Sequence, residues 1–505
     1  MDLKIDRNVA EPVIRQLVTH LTGWIDAHGI RPGARMPSIR QLARENSLSL
    51  SSVIKAYDQL VASGVLESRH GAGFFVAQQL ARPVQPPPDT DNPSWQLFDN
   101  ESTQLKLGCG WLPDAWRDDA DLGQAIRQVV RSDNHALFNY STPLGSPHLR
   151  LHLQKRLGLI DIHVDPTQII TTQGASQGLD LLVRTLLKPG DLVLVESPGY
   201  YNLFNLLKLH GVKTVAVPRT AQGPDIARLE ELLGEHKPSY FFINSMYQNP
   251  TGTSLAPSVA YRLLQLATAH DFRLIEDDIY ADFQNGPTSR LSSLDALERV
   301  IYLASFSKTL SSSLRIGYVV AQPDIIQRLA EVKMVTGIGC SLLAENVVAT
   351  LLANGAYRKL IQRLRQRLNK QMASTLRQLD PAHWEIFAEP MGGLFIWARP
   401  RCLAAQRVQQ IARELQIQLS QGSTFLPQGE VCDWLRLNVA YTQDVRAQRF
   451  FQRVEEESIA VGQEGLGRLI RRHREQARSH SGFSVTRSSC APQPPVGASL
   501  LAMTD

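Results

Sequence analysis

The sequence predicts two folded units of different class: a small helical module closed by a β-hairpin, then a large α/β domain. Three observations carry this. Apolar residues recur at helical spacing from the start (Val13, Ile14, Leu17, Val18, Leu21, Ile25) and end in a hairpin-like stretch at 65–76. Residues 78–98 then turn polar and Pro-rich, and Pro86-Pro87-Pro88 favours extended polyproline chain. From residue 99 onward, near-continuous apolar strands alternate with helical patterns, as in a parallel or mixed sheet covered on both faces. The expected division is therefore 1–77, a linker at 78–98, a large domain at 99–460 and a tail at 461–505. The tail begins with basic RLIRRHREQARSH and becomes low in complexity, which predicts disorder.

A chain of 505 residues with 43% hydrophobic and 20% charged residues is long enough for two or three packed cores. The net charge of +5 suits a nucleic-acid partner without requiring one. Cys109, Cys340, Cys402, Cys432 and Cys490 are scattered and show no CxxC spacing. That pattern argues against a disulfide framework and against a zinc site, so no metal is expected. The amino terminus has no apolar signal region, and no run of about 18 apolar residues follows. The expected setting is a reducing cytoplasm with no membrane partner.

In the first module, Arg31-Pro32-Gly33 ends the first helix, and Ser38 is placed to cap a second helix carrying Ile39, Leu42 and Ala43. A third helix follows Ser49, with Val53, Ala56, Tyr57 and Leu60 on one face, and Gly64 stops it. Two helices at a tight turn followed by a hairpin form the winged helix-turn-helix plan. Its second helix offers Ser49, Ser51, Ser52 and Lys55 to the major groove. Hydroxyls bond phosphates or base edges and a lysine adds charge, although serines at a helix start also serve as plain caps. The stretch PGARMPSIRQLARENSLSLSSVIKAYDQLVASGVLESRHGAGFFV resembles the GntR-type DNA-binding domain. The resemblance implies DNA contacts from Arg40 in the P-S-x-R element and from His70 in the wing. Where that family often has an arginine, this sequence has Leu50, with Arg35, Lys55 and Arg69 as neighbouring cations.

In the large domain, polar motifs recur where apolar strands end, which is where open α/β sheets bind ligands. Gly174-Ala175-Ser176 opens a helix, and free N–H groups there suit a phosphate. Ser305, Ser307 and Arg315 add donors for the same dianion. Asp277 offers a carboxylate to a pyridine nitrogen. Asn249 and Tyr280 suit a phenolate oxygen, and Tyr200 suits stacking on a ring. Lys308, in SFSKTL, would be the covalent amine. Each piece alone is weak, since a lone lysine after a strand is usually a surface residue. The ordered set G-A-S-Q, P-G-Y, N-P-T-G, D-D-I-Y, S-F-S-K, L-R-I-G-Y is much more specific.

That set resembles a class I aminotransferase of the pyridoxal 5'-phosphate (PLP) fold type I, over about 350 residues. The resemblance gives Arg436, in WLRLNV, the grip on a substrate carboxylate. It gives Tyr140, in NYSTPLG, a reach to a neighbouring subunit's cofactor phosphate. Head, linker and body together resemble the MocR subfamily of bacterial regulators. This implies a PLP-dependent transcription factor, built as a head-to-tail homodimer, that binds operator DNA and senses an amine or amino acid effector by aldimine exchange at Lys308. The alternative is a working aminotransferase with an appended DNA-binding head.

Overall fold

The computed structural model describes residues 3, 5, 12–77, 103–117, 119–132, 135–284 and 290–461. The expected linker at 78–98 and the tail beyond 461 lie outside the described residues. Contacts divide the chain into two compact units, Met1–Asp91 and Asn92–Asp505.

The first unit holds α1 (Val13–Ala27), α2 (Ile39–Glu45) and α3 (Leu50–Ala62), then antiparallel β1 (Leu66–Arg69) and β2 (Gly73–Val76). Its core contains the apolar positions expected from spacing, with Leu17, Leu21, Leu42, Val53, Tyr57 and Leu60 fully buried. Ser38 caps α2 by accepting from Gln41 N at 3.2 Å, and Ser49 caps α3 by accepting from Ser52 N at 3.0 Å. Each cap satisfies an amide that the helix itself leaves unpaired. The wing turns through Gly71 and Gly73, at φ +71° and +105°, where a side chain would be strained. The Tyr57 hydroxyl donates to Pro37 O at 2.7 Å and so ties α3 to the turn before α2.

The second unit is built on an eight-stranded sheet in the order β3-β10-β9-β8-β7-β4-β5-β6. The strands are β3 (Ile169–Thr172), β4 (Leu192–Ser197), β5 (Lys213–Thr220), β6 (Gly223–Pro224), β7 (Tyr240–Ile243), β8 (Arg273–Asp277), β9 (Val300–Ser305) and β10 (Gly317–Val320). Pairings from β5 through β4, β7 and β8 to β9 are parallel, while β10 runs antiparallel to both β3 and β9. Parallel neighbours need crossover segments, and helices supply them on both faces, so the strands are buried on each side. Side chains alternate accordingly. Tyr302, Ala304 and Tyr318 face one core, and Ile301, Leu303 and Val319 face the other. The long helix Ala356–Gln378 precedes a second, antiparallel sheet of β11 (Trp384–Ile386), β12 (Phe395–Pro400) and β13 (Leu435–Asn438). The motifs G-A-S-Q, P-G-Y, N-P-T-G, D-D-I-Y and S-F-S-K sit at or past the carboxyl ends of β3, β4, β7, β8 and β9, L-R-I-G-Y leads into antiparallel β10, and Arg436 lies on β13 of the second sheet. Among the described residues no helix is long and apolar enough to cross a membrane.

Candidate functional site

At the end of β3 the chain turns through Gly174 (φ +73°) into the helix Gly174–Leu186. No side chain caps that helix start, so its first N–H groups, at Ala175 and Ser176, are open to a ligand. Arg315, itself at φ +51°, lies across the same turn. Its guanidinium donates to Gln173 O at 3.1 Å and to Ser307 Oγ at 3.3 Å. Ser305 Oγ lies 3.1 Å from Ser307 Oγ. The residue types expected for a phosphate therefore converge in one cup. Close backbone approach makes that cup possible. A Cβ on Gly317 would sit 2.8 Å from Gly174 C and 2.9 Å from Ala175 N, and one on Gly174 would sit 2.6 Å from Arg315 Nη2.

Asp277 closes β8, and its Oδ1 accepts from Ile279 N at 3.2 Å. Burial pushes its carboxyl up to about 7, with Asp278 and Glu196 adding repulsion while the Ile279 N–H and Lys308 pull it back. A half-buried carboxylate held back in this way suits a cationic N–H such as a pyridinium, whose charge would favour its ionised form. Tyr200 lies close enough to couple with Asp277 and Ser176, and burial raises its hydroxyl to about 12. Tyr280 is fully buried with its ring edge-on to Phe395, and its hydroxyl is pushed well up by burial.

Lys308 follows β9 by one short turn. Burial, with Arg436 and Arg315 nearby, brings its amine from 10.5 down to about 8. A lysine so perturbed is neutral often enough at neutral pH to act as a nucleophile. Arg436, on β13, is buried between the rings of Phe395 and Phe425, 4.8 and 4.7 Å from its guanidinium carbon. It donates to Gly108 O at 2.7 Å and to Asn249 Oδ1 at 2.7 Å. Lys308 and Arg436 open on the same spot: a Cβ placed on Gly110 would lie 3.8 Å from Lys308 Nζ and 3.6 Å from Arg436 Nη1. Cys109, beside them, is buried and points its thiol at Trp111 O, and burial pushes that thiol up. Tyr140 stands apart from this cluster, 79% exposed on the surface of the unit.

Several residues that support the site were not singled out from the sequence. Glu196 on β4 pairs with Arg219 on β5, both buried. Glu196 Oε2 accepts from Asn244 N at 2.9 Å. Asn244 then holds both neighbours: its Oδ1 accepts from Asn249 N at 2.9 Å and its Nδ2 donates to Asp277 O at 2.5 Å. Glu196 and Arg219 were legible as charges inside apolar strand runs. Nothing local to Asn244 marks it.

In the first unit, Arg35, Arg40, Ser49, Ser51, Lys55, Arg69 and His70 are exposed and Ser52 is half-buried. Ser49 Oγ is engaged by Ser51 Oγ at 3.0 Å and Ser52 Oγ at 2.7 Å besides its cap. Arg69 Nε donates to Glu67 at 2.8 Å and its guanidinium lies 4.4 Å over the Phe75 ring, so its charge is already partly matched.

Comparison with known proteins accords with this architecture. Residues 13–76 match the bacterial regulatory proteins of the gntR family, and residues 102–454 match the aminotransferase class I and II family. A 2-aminoadipate transaminase of Thermus thermophilus is 30% identical over 70% of this chain and 86% of its own length. A probable rhizopine catabolism regulatory protein, MocR, of Rhizobium meliloti is 29% identical over 72% of this chain and 76% of its own. The crystal structure of the Thermus thermophilus α-aminoadipate aminotransferase LysN, complexed with N-(5'-phosphopyridoxyl)-L-leucine, superposes with a TM-score of 0.67. It is 27% identical and covers 74% of this chain and 96% of that one. Pyridoxal 5'-phosphate is the cofactor this fold implies, and the donor set described above fits it. The chain belongs to the aminotransferase class I and II family, joined to a gntR-family DNA-binding head in the arrangement of the MocR subfamily of regulators.

Proposed function

We infer that the chain is a ligand-responsive transcriptional regulator whose PLP-bearing body senses an amine or amino acid at Lys308. One observation carries this reading. The Lys308 amine and the Arg436 guanidinium both lie within 4 Å of a Cβ built on Gly110, so a molecule bearing an amine and a carboxylate on adjacent atoms can engage both. PLP supplies an electrophilic carbon for amine exchange and a conjugated ring that reports it by colour. In this proposal Ala175, Ser176, Ser305, Ser307 and Arg315 hold the phosphate. Asp277 serves the ring nitrogen, Asn249 and Tyr280 the ring oxygen, and Tyr200 the ring face. Effector binding shifts the balance between two conformations by its differential affinity for them. Tyr140, exposed on one subunit, would complete the phosphate site of a second in a head-to-tail homodimer. Arg35, Arg40, Ser51, Ser52, Lys55 and His70 supply the exposed groove-facing groups of the head, Ser49 its cap, and Arg69 a charge shared with Glu67.

The test is a spectral titration of the purified, cofactor-loaded protein with a panel of amines and amino acids, run beside a gel shift on its upstream DNA. A visible absorbance that Lys308→Ala abolishes, and a DNA shift that one amine alters, are the expected results. Loss of either refutes the reading. The second reading is a working aminotransferase, favoured by the full set of converging site residues and by 30% identity to a transaminase. Rapid conversion of the bound cofactor to pyridoxamine phosphate with release of keto acid would select it.

A further inference from the structure

Beside the cofactor cup, on the sheet face that carries Tyr302 and Tyr318, lies a cavity of about 1160 Å³. The helix Pro147–Gly158 and the long helix Ala356–Gln378 form its other walls. It is roomy by the standard of small-molecule sites, which run to about 1,000 Å³. Its charges are unevenly matched. The inner acids are already paired: Asp278 Oδ2 accepts from Arg290 Nε at 2.8 Å and from the Tyr302 hydroxyl at 2.9 Å, and Asp282 meets Arg156 and the Tyr357 hydroxyl. The cations nearer the opening are not. Lys155 and Arg358 are exposed on facing helices and have no ion-pair partner among the described residues. Arg365 spends its Nε on the backbone oxygen of Asp282 at 2.7 Å, which leaves its terminal nitrogens available. Asp161, exposed at the edge, is the single opposing acid at the opening among the described residues. Burial, with His148 and Lys155 close by, lowers the proton affinity of His152 on the same wall, in keeping with a positive local field.

We propose that this cavity is a second ligand site, separate from the cofactor, for a small polyanion bearing phosphate or carboxylate groups held by Lys155, Arg358 and Arg365. The site is wired to Lys308. Arg156 pairs with Asp282, and Asp282 accepts from the Tyr357 hydroxyl. Tyr357 in turn shares a 2.8 Å hydrogen bond with Thr309 Oγ1, the residue after Lys308. An anion that draws Arg156 away from Asp282 alters the Tyr357–Thr309 contact and so the setting of the lysine. Binding stands apart from the regulatory reading above, whereas its consequence at Lys308 rests on that reading.

The experiment is calorimetric titration of the full-length, cofactor-loaded protein with inorganic pyrophosphate and with citrate, at constant ionic strength. Loading fills the cofactor's own phosphate cup. The expected result is saturable binding of at least one probe, weakened about tenfold or more in the double variant Lys155→Gln/Arg358→Gln, whose exposed side chains leave folding intact. Cofactor release, followed by its absorbance, should change severalfold with the probe in the parent protein. In Tyr357→Phe it should not change, although the probe still binds. Three results overturn the site: no binding tighter than about 1 mM, binding untouched by the double variant, or binding seen only in cofactor-free protein. A double variant that alters oligomeric state while the parent binds no probe assigns the face to a second copy of the chain. A full response in Tyr357→Phe refutes the route to Lys308.

Discussion

Asp277 is the position where stability and function are expected to oppose each other most clearly. In the cofactor-free protein its carboxyl rises from 3.8 to about 7, chiefly through burial. Between those values the folded chain holds a proton that the unfolded chain has lost. Stability contributed by this group is therefore complete below about pH 4 and is lost as pH rises through 7. At about 1.4 kcal/mol per pH unit, the ceiling of the loss is about 4 kcal/mol above pH 7, and somewhat under half of that has gone by pH 5. The side chain is half-buried, so solvent screening reduces the step between pH 5 and pH 8 to about 1–2 kcal/mol. Asp277→Asn carries no charge to penalise. Urea unfolding of the cofactor-free proteins, followed by tryptophan fluorescence, should find the variant's advantage over the parent about 1–2 kcal/mol larger at pH 8 than at pH 5, within the error of about 15% in such extrapolations. Taking the difference between proteins cancels other titrating groups. The same variant should bind PLP about a hundredfold more weakly, because the ring nitrogen loses its charged partner. An advantage that does not grow with pH would refute the account of Asp277, whatever the cofactor affinity.

Three further outcomes follow from the geometry. Gly317→Ala places a Cβ 2.8 Å from Gly174 C and 3.0 Å from Ala304 O; relief by moving the turn should cost about 1–3 kcal/mol and weaken PLP binding at least tenfold in an absorbance titration. Arg436→Gln should lower the affinity of a carboxylate-bearing effector about tenfold to a hundredfold more than that of a plain amine in the spectral titration, since the loss of its bonds to Asn249 and Gly108 touches both ligands and the loss of the charge-assisted carboxylate contact touches only the first. Lys55→Ala should weaken DNA binding to all sequences alike and flatten the slope of log affinity against log salt by about 1.

The order of elements, the two fold classes and the candidate cofactor residues were legible in the sequence, because each rests on local patterns. Apolar spacing marks helices and buried strands, and polar motifs at strand ends mark where an α/β sheet binds ligands. Ser38 and Ser49 were legible as caps for the same local reason. What the chain could not reveal locally depends on which strands become neighbours. Asn244 matters because β4, β7 and β8 lie side by side, so that its backbone N–H meets Glu196 while its side chain meets Asn249 and Asp277. The pairing of Arg69 with Glu67 depends on rotamers, which spacing does not specify.

By itself, then, the sequence determined a winged head and an α/β body, since propensity and periodicity act over a few residues, and its ordered motifs nominated the residues proposed to hold PLP. The tertiary structure alone decided the shared opening of Lys308 and Arg436, the depressed amine and raised carboxyl, and the charged cavity behind Ser305. Each of these depends on desolvation and on distances between segments far apart in the chain, quantities that exist only once the sheet has brought those segments together.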